Sequence, residues 1–313
     1  MKNNQLMIYG AYGYAGELMV REAVAQRLRP IIAGRDAEKL KPIATELSLE
    51  CRAFGVRNTG SNLQDISVLL NCAGPFSATA EPLARACLAQ QIHYLDITGE
   101  IDIFRKCHAL DEEARQQNVL ILPGAGTDIV PTDCLAAMLK EKLPVATRID
   151  LALSFGTNPS IGTVNTMIES FGKGGLIREG GMLKVVSNAF QMRKIPFQNK
   201  PQWAMTIPWG DVFTSGISTG VPDGAVYMAM PRMSIYMIRL TNPVKGILNT
   251  QFGQKITKRL AGWLMKKGPD AKALEAGRGQ FWGEAEAPDG EKLEMTMSTP
   301  NVYALTATVG IRI

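Results

Sequence analysis

The sequence predicts an α/β chain: a doubly wound parallel sheet over residues 1–135, then a second α+β domain with a mixed sheet over residues 136–313. Three observations predict it. Short apolar runs alternate with helical periodicity through the first half, the pattern of a parallel sheet covered on both faces. The first run, Leu6-Met7-Ile8-Tyr9, empties into glycines at 10, 13 and 16 and then into a helix. Beyond Pro144 the pattern changes to longer alternating strands, Gly- and Pro-rich stretches and a hairpin signal at Asp289-Gly290.

The turn Gly10-Ala11-Tyr12-Gly13-Tyr14-Ala15-Gly16 has the GxxGxxG form of a dinucleotide-binding loop, in the strand–turn–helix context that gives the pattern meaning. Gly10 turns the chain sharply, Gly13 admits backbone N–H groups close to a pyrophosphate, and Gly16 lets the helix pack on the strand. The helix N-terminus adds donors and partial positive charge. A second strand, Pro30-Ile31-Ile32-Ala33, leads to Gly34-Arg35-Asp36. A carboxylate at this strand end would hold the ribose 2′-hydroxyl of NAD, whereas an arginine accommodates the 2′-phosphate of NADP. Arg35 is the first side chain past the strand and can pair bidentately with phosphate, so NADP(H) is the expected cofactor. Asp36 reads as the N-cap of the helix opening at Ala37-Glu38-Lys39-Leu40.

The alternation continues with a helix to about residue 47, a short strand at 51–54 and a polar loop over 55–62. The buried strand Val68-Leu69-Leu70-Asn71-Cys72 ends in Ala73-Gly74-Pro75-Phe76, and a helix follows over 80–90. Tyr94-Leu95-Asp96 is a strand closed by Thr98-Gly99-Glu100, followed by a helix over 101–117 and a strand over 119–122. Ligands of such sheets sit off the carboxyl ends of the strands, where the turns at 10–16, 72–76 and 96–100 converge. The backbone of Cys72, Ala73, Gly74, Pro75 and Phe76, with Gly99, is therefore expected to line the ribose and nicotinamide. Asp96, Glu100 and Asp128 are candidate catalytic carboxylates, with structural capping the competing reading. Cys72 has no neighbouring base to make it a nucleophile, and His93 and His108, the two histidines, read as structural.

Gly124-Ala125-Gly126-Thr127-Asp128 leaves the last strand, and Pro131 opens a helix to about residue 143. The second half reads as a strand over 148–155, a helix near 164–170, a long irregular stretch and a strand over 225–230. Asn242-Pro243 starts a helix with apolar residues at Val244, Leu248, Phe252, Ile256, Leu260 and Leu264, running to about 267. Strands over 279–287 and 292–299 form the hairpin, and the apolar segment from Tyr303 is expected to pack back on the first domain.

Composition bounds the function. No apolar run reaches transmembrane length, and Gly10 interrupts the N-terminal one, so a signal peptide is not expected. The five cysteines lack CxxC spacing, which argues against a zinc site or disulfide framework and for reduced thiols in the cytoplasm. Residues 224–269 hold eight basic side chains and no acidic one. That face is expected to be either a solvated helix surface or a docking site for an acidic carrier protein or an anionic membrane surface. Nucleic acid is not expected, for no basic motif is interleaved with aromatics. None of the seven tyrosines has a lysine four residues on, which excludes a short-chain dehydrogenase site.

Together, Gly10–Gly16, Ala33-Gly34-Arg35, Asn71-Cys72-Ala73-Gly74-Pro75-Phe76, Glu81-Pro82, His93-Tyr94-Leu95-Asp96-Ile97-Thr98-Gly99-Glu100 and residues 126–131 resemble the saccharopine dehydrogenase-like NADP-binding family. Pro208-Trp209-Gly210-Asp211 and Ser218-Thr219-Gly220-Val221-Pro222 resemble its trans-acting enoyl reductase branch. The resemblance implies a Rossmann-type first domain, a homodimer and an NADPH-dependent reductase of an unsaturated acyl-type or otherwise apolar substrate, free or carrier-bound. Family members usually continue past the final apolar segment, so a shortened tail is expected here. Two alternatives stand beside this reading. One is an amino-acid oxidoreductase of the saccharopine type, which would need convergent arginines for substrate carboxylates. The other is a non-catalytic NADP-sensing protein.

Overall fold

The computed structural model describes residues 5–155, 174–244, 250, 253 and 277–313. The expected helix near 164–170 lies outside these residues, as does that over 244–267 apart from residues 250 and 253 and the 3-10 turn Asn242–Val244 at its start. The chain divides into two compact units: residues 1–128 with 303–313, and residues 129–302.

The first unit is built on six parallel strands, β1 (Leu6–Tyr9), β2 (Ile31–Gly34), β3 (Cys51–Ala53), β4 (Val68–Asn71), β5 (His93–Asp96) and β6 (Ile121–Leu122), in the order β3-β2-β1-β4-β5-β6. The order reverses beside β1, which pairs with β2 on one side and β4 on the other. Alternate residues feed two cores, as the period of two requires. Met7, Tyr9, Ile31 and Leu69 pack with α3 (Phe76–Ala89), α4 (Ile101–His108) and α5 (Asp111–Gln116). Ile8, Ile32, Leu70 and Leu95 pack with α1 (Tyr14–Ala25) and α2 (Ala37–Leu47), joined by Ala307 of the terminal helix Val302–Arg312. That helix approaches closely enough that a Cβ at Gly310 would lie 2.7 Å from Met19 Cε.

Two helical expectations are corrected. The helix expected at residue 80 begins at Phe76, because Pro75 serves as its N-cap and Pro82 sits within its first two turns. The single helix expected over 101–117 is two, broken at Ala109-Leu110.

The second unit holds, among the described residues, an eight-stranded mixed sheet of β7 (Arg148–Ser154), β8 (Gly175–Glu179), β9 (Met182–Val186), β10 (Met192–Pro196), β11 (Pro201–Thr206), β12 (Asp223–Ala229), β13 (Arg278–Glu286) and β14 (Lys292–Pro300). β7 and β12 are parallel, and β13 and β14 form the expected hairpin. The stretch expected to be irregular is regular: it contains β8 to β11 and the helix Asp211–Thr219. Pro196 and Pro201 mislead because they face each other at the loop end of the β10–β11 hairpin, where no ladder donor is needed. The unit boundary falls at 128/129 rather than 135/136. The helix α6 (Val130–Lys142) belongs to the second unit: Gly283 of β13 lies so close that a Cβ there would be 2.6 Å from Leu139 Cδ1.

Candidate functional site

The carboxyl edge of β1, β2, β4 and β5 gathers the predicted site residues of the first unit. Gly10 has φ +86°, a left-handed conformation that glycine adopts without penalty. A Cβ there would meet the Ala73 nitrogen at 2.7 Å, so the β1 and β4 turns touch through this missing side chain. The Gly10 and Ala11 amides both donate to the Ala33 carbonyl, at 2.7 and 3.1 Å, which ties the turn to β2. Gly16 is tighter still, since its Cβ would lie 2.2 Å from the Gly10 carbonyl oxygen. Gly16 therefore brings α1 against the turn. Gly13 differs from both: its Cβ would meet a single atom, the Gly10 oxygen, at 3.2 Å. It is the N-cap of α1 and, as a glycine, brings no side chain to cap that helix. An uncapped helix start behind a glycine is where a pyrophosphate fits.

Tyr12, Tyr14 and Ala15 are partly exposed along this turn. The Tyr12 ring lies over Gly34, whose Cβ would be 2.6 Å from Tyr12 Cε1, and Lys39 Nζ stands 5.7 Å from the ring centroid. Tyr14 packs edge-on against Tyr303, with centroids 5.1 Å apart. Arg35 is exposed just past β2. Asp36 does not compete with it: its carboxylate accepts from the Glu38 and Lys39 amides at 3.1 and 3.3 Å, the N-cap role its position predicts. Lys39 was not singled out from the sequence. Its place over Tyr12 depends on a ring from another turn, which no local spacing reveals.

The β4 turn is held from beneath. Asn71, fully buried, accepts from the Ala73 amide at 3.0 Å and donates to Thr79 Oγ1 and the Tyr94 hydroxyl at 3.2 and 3.1 Å. Thr79 donates to the Ala73 carbonyl at 2.6 Å. Ala73 is thus committed to the turn itself, which leaves Gly74 and Pro75 exposed at the edge, with Phe76 half-buried. The Cys72 thiol points into the core, 3.2 Å from Met19 Sδ, and burial pushes its pKa far up, so only its backbone belongs to the edge.

Asp96 is the hub of this arrangement. It is fully buried, and its carboxylate accepts from Tyr94 Oη at 2.8 Å and from the Thr98 and Gly124 amides, each at 3.0 Å. Its carbonyl accepts from the Ala125 amide at 2.6 Å. Burial pushes the carboxyl up to about 6, while the three donors hold it below what burial alone would give. A carboxylate so enclosed positions the β4, β5 and β6 turns and has no open face toward a substrate. Glu100 is half-buried and accepts from the Phe76 amide at 3.2 Å, which places its charge at the start of α3. Gly99 is buried beside it. Asp128 is the third candidate and differs from both: it is partly exposed, and its crowded surroundings push its carboxyl up to about 7. His93 is structural as expected, its Nδ1 accepting from the Leu120 amide at 2.9 Å.

Residues 6–122 match the model of the saccharopine dehydrogenase NADP-binding domain. The first unit belongs to that family. NADP is thereby its cofactor, and the features above fit it: a glycine cradle that a Cβ at Gly13 would begin to fill, an uncapped helix start and an exposed arginine at the end of β2. A rat saccharopine dehydrogenase-like oxidoreductase is 26% identical over 231 residues, covering 64% of this chain and 53% of that protein. A Mycobacterium tuberculosis protein named as a trans-acting enoyl reductase is 28% identical over 206 residues, covering 59% of this chain and 44% of its own length. The chain thus spans about half the length of the curated relatives it matches. Among solved structures, apo saccharopine dehydrogenase (L-Glu forming) from Saccharomyces cerevisiae has the same fold, with a TM-score of 0.63 at 9% identity over 98% of this chain and 89% of that one. No helix among the described residues is long and apolar enough to cross a membrane.

Proposed function

We propose that the chain is an NADPH-dependent oxidoreductase that reduces an unsaturated acyl-type or otherwise apolar substrate. The observation that carries this reading is the glycine-lined dinucleotide cradle at the carboxyl edge of the first sheet; Asp128, in the segment that leaves β6, is partly exposed, with its carboxyl pushed up to about 7. Arg35 would pair with the 2′-phosphate, with Lys39 contributing a second charge one helical turn on. Gly13 and the start of α1 would take the pyrophosphate, and Gly74, Pro75 and Phe76 the ribose side. A bound NADPH would supply the hydride for reduction of the acyl double bond. Asp128 would donate the balancing proton at the α-carbon, giving the saturated acyl product. A general acid is most effective when its pKa lies near the working pH, as that of Asp128 does and those of ordinary carboxylic acids do not.

Three observations support the acyl class over amino acids. The similarity to an enoyl reductase-named protein is one. The engagement of three arginines of the second unit is another. Arg193 pairs bidentately with Glu284 at 3.1 Å, Arg148 pairs with Asp150 at 2.9 Å, and Arg178 donates to the Val212 and Val221 carbonyls. Two of the three are thus paired with carboxylates of the protein itself, and Arg178 spends its Nε and Nη1 on backbone carbonyls. The third is the 208–222 sequence, which resembles the enoyl reductase branch.

The test is transfer of deuterium from deuterated NADPH to α,β-unsaturated acyl thioesters, with imine-forming amino-acid substrates in parallel. Label at the β-carbon supports the proposal. Label on the amino-acid product would replace it with the saccharopine-type reading, and tight NADPH binding without transfer to either would replace it with the sensing role.

A further inference from the structure

The helix Arg232–Leu240 buries one residue fully, Ile235, and turns most of its other apolar residues outward. Met233 is 70% exposed, Tyr236 38%, Met237 63% and Leu240 78%. Their spacing, i, i+3, i+4 and i+7, sets all four on one stripe of the helix. A soluble surface rarely gathers large apolar side chains in this way without a partner.

The stripe is held rigidly. At the helix C-terminus Asn242 accepts from the Asn188 amide at 2.8 Å and donates to its carbonyl at 3.1 Å, while Arg239 Nε donates to the Ala189 carbonyl at 2.9 Å. At its N-terminus the Arg232 guanidinium stacks 5.0 Å from the Trp203 ring centroid and donates to the Tyr236 hydroxyl at 3.0 Å. Phe190, 44% exposed, follows directly on the residue that accepts from Arg239. A cation thus sits at each end of the stripe, and the sequence from 224 to 269 offers no acidic residue to neutralise either.

We propose that this helix lies in the interfacial plane of an anionic lipid surface, its apolar stripe entering the acyl boundary and its two arginines meeting headgroup phosphates. Nine residues span about 13 Å at 1.5 Å each, so the helix lies on a bilayer and cannot cross it. Charge argues against a second copy as the occupant. A two-fold contact would bring Arg232 and Arg239 against the same residues of the partner, with no acidic side chain of this segment between them. An acidic protein would answer the charge but would set methionine and leucine against a polar face. An anionic bilayer answers both. The proposal stands independently of the hydride-transfer reading.

Flotation of the full chain with phosphatidylcholine vesicles, with and without phosphatidylglycerol, tests it. The parent should float with the anionic vesicles, less with the neutral ones, and less again as salt shortens the Debye length below about 8 Å. The Met233→Ser, Met237→Ser, Leu240→Ser triple variant, altered only at exposed positions, should lose about a hundredfold in partitioning while binding NADPH as the parent does. Equal flotation of parent and variant overturns the proposal, as does a parent that floats with neither vesicle. A parent dimer that the triple variant dissociates, or vesicle-independent capture of an acidic carrier that the variant loses, overturns it in favour of a protein partner.

Discussion

Two glycines three residues apart should respond oppositely to the same added methyl group. In Gly16→Ala the new Cβ would lie 2.2 Å from the Gly10 oxygen, 2.9 Å from the Gly10 carbonyl carbon and 3.0 Å from Ala11 Cα. All three atoms are backbone, in a turn whose amides are bound to Ala33 at 2.7 and 3.1 Å. Relieving the contact requires a shift of about 1 Å, which either lifts α1 or breaks those bonds. Overpacking of this kind costs about 1–3 kcal/mol, partly offset by the roughly 1 kcal/mol by which alanine favours a helix over glycine. Three close contacts with backbone put the overpacking at the upper end of that range, so a net loss of about 2 kcal/mol is expected. In Gly13→Ala the Cβ meets one oxygen at 3.2 Å, and its φ of −77° suits any residue. The lost N-cap preference, about 1 kcal/mol, is nearly matched by the reduced entropy of the unfolded chain, about 0.4–1 kcal/mol. Gly13→Ala should thus fold with parental stability yet weaken NADPH by about tenfold to a hundredfold, the value of one charge-assisted phosphate contact held off by the methyl. The four tryptophans, at 203, 209, 263 and 282, all lie outside the first unit's residue ranges. Urea unfolding should therefore be followed by far-ultraviolet circular dichroism, and binding by NADPH fluorescence. A Gly16→Ala protein as stable as the parent, or a Gly13→Ala protein with parental NADPH affinity, would refute the reasoning.

Asp96→Ala strands the Thr98 and Gly124 amides and the Tyr94 hydroxyl in the core, at about 1–3 kcal/mol each, so urea titration should read a loss of about 3 kcal/mol or more. Asp128 has a folded pKa raised to about 7, so the fold prefers its protonated form and loses stability as pH rises from the ordinary carboxylate range toward 7. Asp128→Asn should remove that loss, equalling or exceeding the parent above pH 7 in thermal melts, while lowering the reduction rate by about 10²- to 10⁴-fold and flattening its fall with pH. A variant that keeps both the parental pH–rate profile and rate removes Asp128 from the chemistry. Lys39→Gln should weaken NADPH a few-fold and leave NADH unchanged, since a lysine acts on phosphate as a point charge.

The first unit was readable because each of its strands is a short apolar run closed by a turn residue, and because Asp36 announces its helix by type and position. Its polar scaffold was not. Asn71, Tyr94, Asp96, Thr98 and Gly124 come from three turns, and nothing in their local spacing says that one carboxylate binds the other two turns to its own. The capping role suggested for Asp96 and Glu100 is the one their hydrogen bonds describe, whereas the environment of Asp128 depends on packing that no motif encodes. In the second unit, β10 and β11 were hidden by prolines at their ends, and the Asp211–Thr219 helix by β-branched and hydroxyl residues that favour other conformations in isolation. The Arg232–Leu240 helix eluded pattern reading for a different reason: its apolar stripe faces solvent, so the residues that mark a helix do not mark its core side.

The central claim, that the carboxyl edge of the first sheet is an NADP(H) site selected by Arg35, is tested most directly by the ratio of NADH to NADPH dissociation constants in the parent and in Arg35→Ala. Arg35 is exposed at the end of β2, and Asp36 is engaged as a helix cap. Loss of a charge-assisted phosphate contact costs about 1.5–3 kcal/mol. The parent should therefore favour NADPH by about tenfold or more, and Arg35→Ala should bring the ratio close to one by weakening NADPH alone. Equal affinities in the parent, or a preference that survives the substitution, would contradict the account.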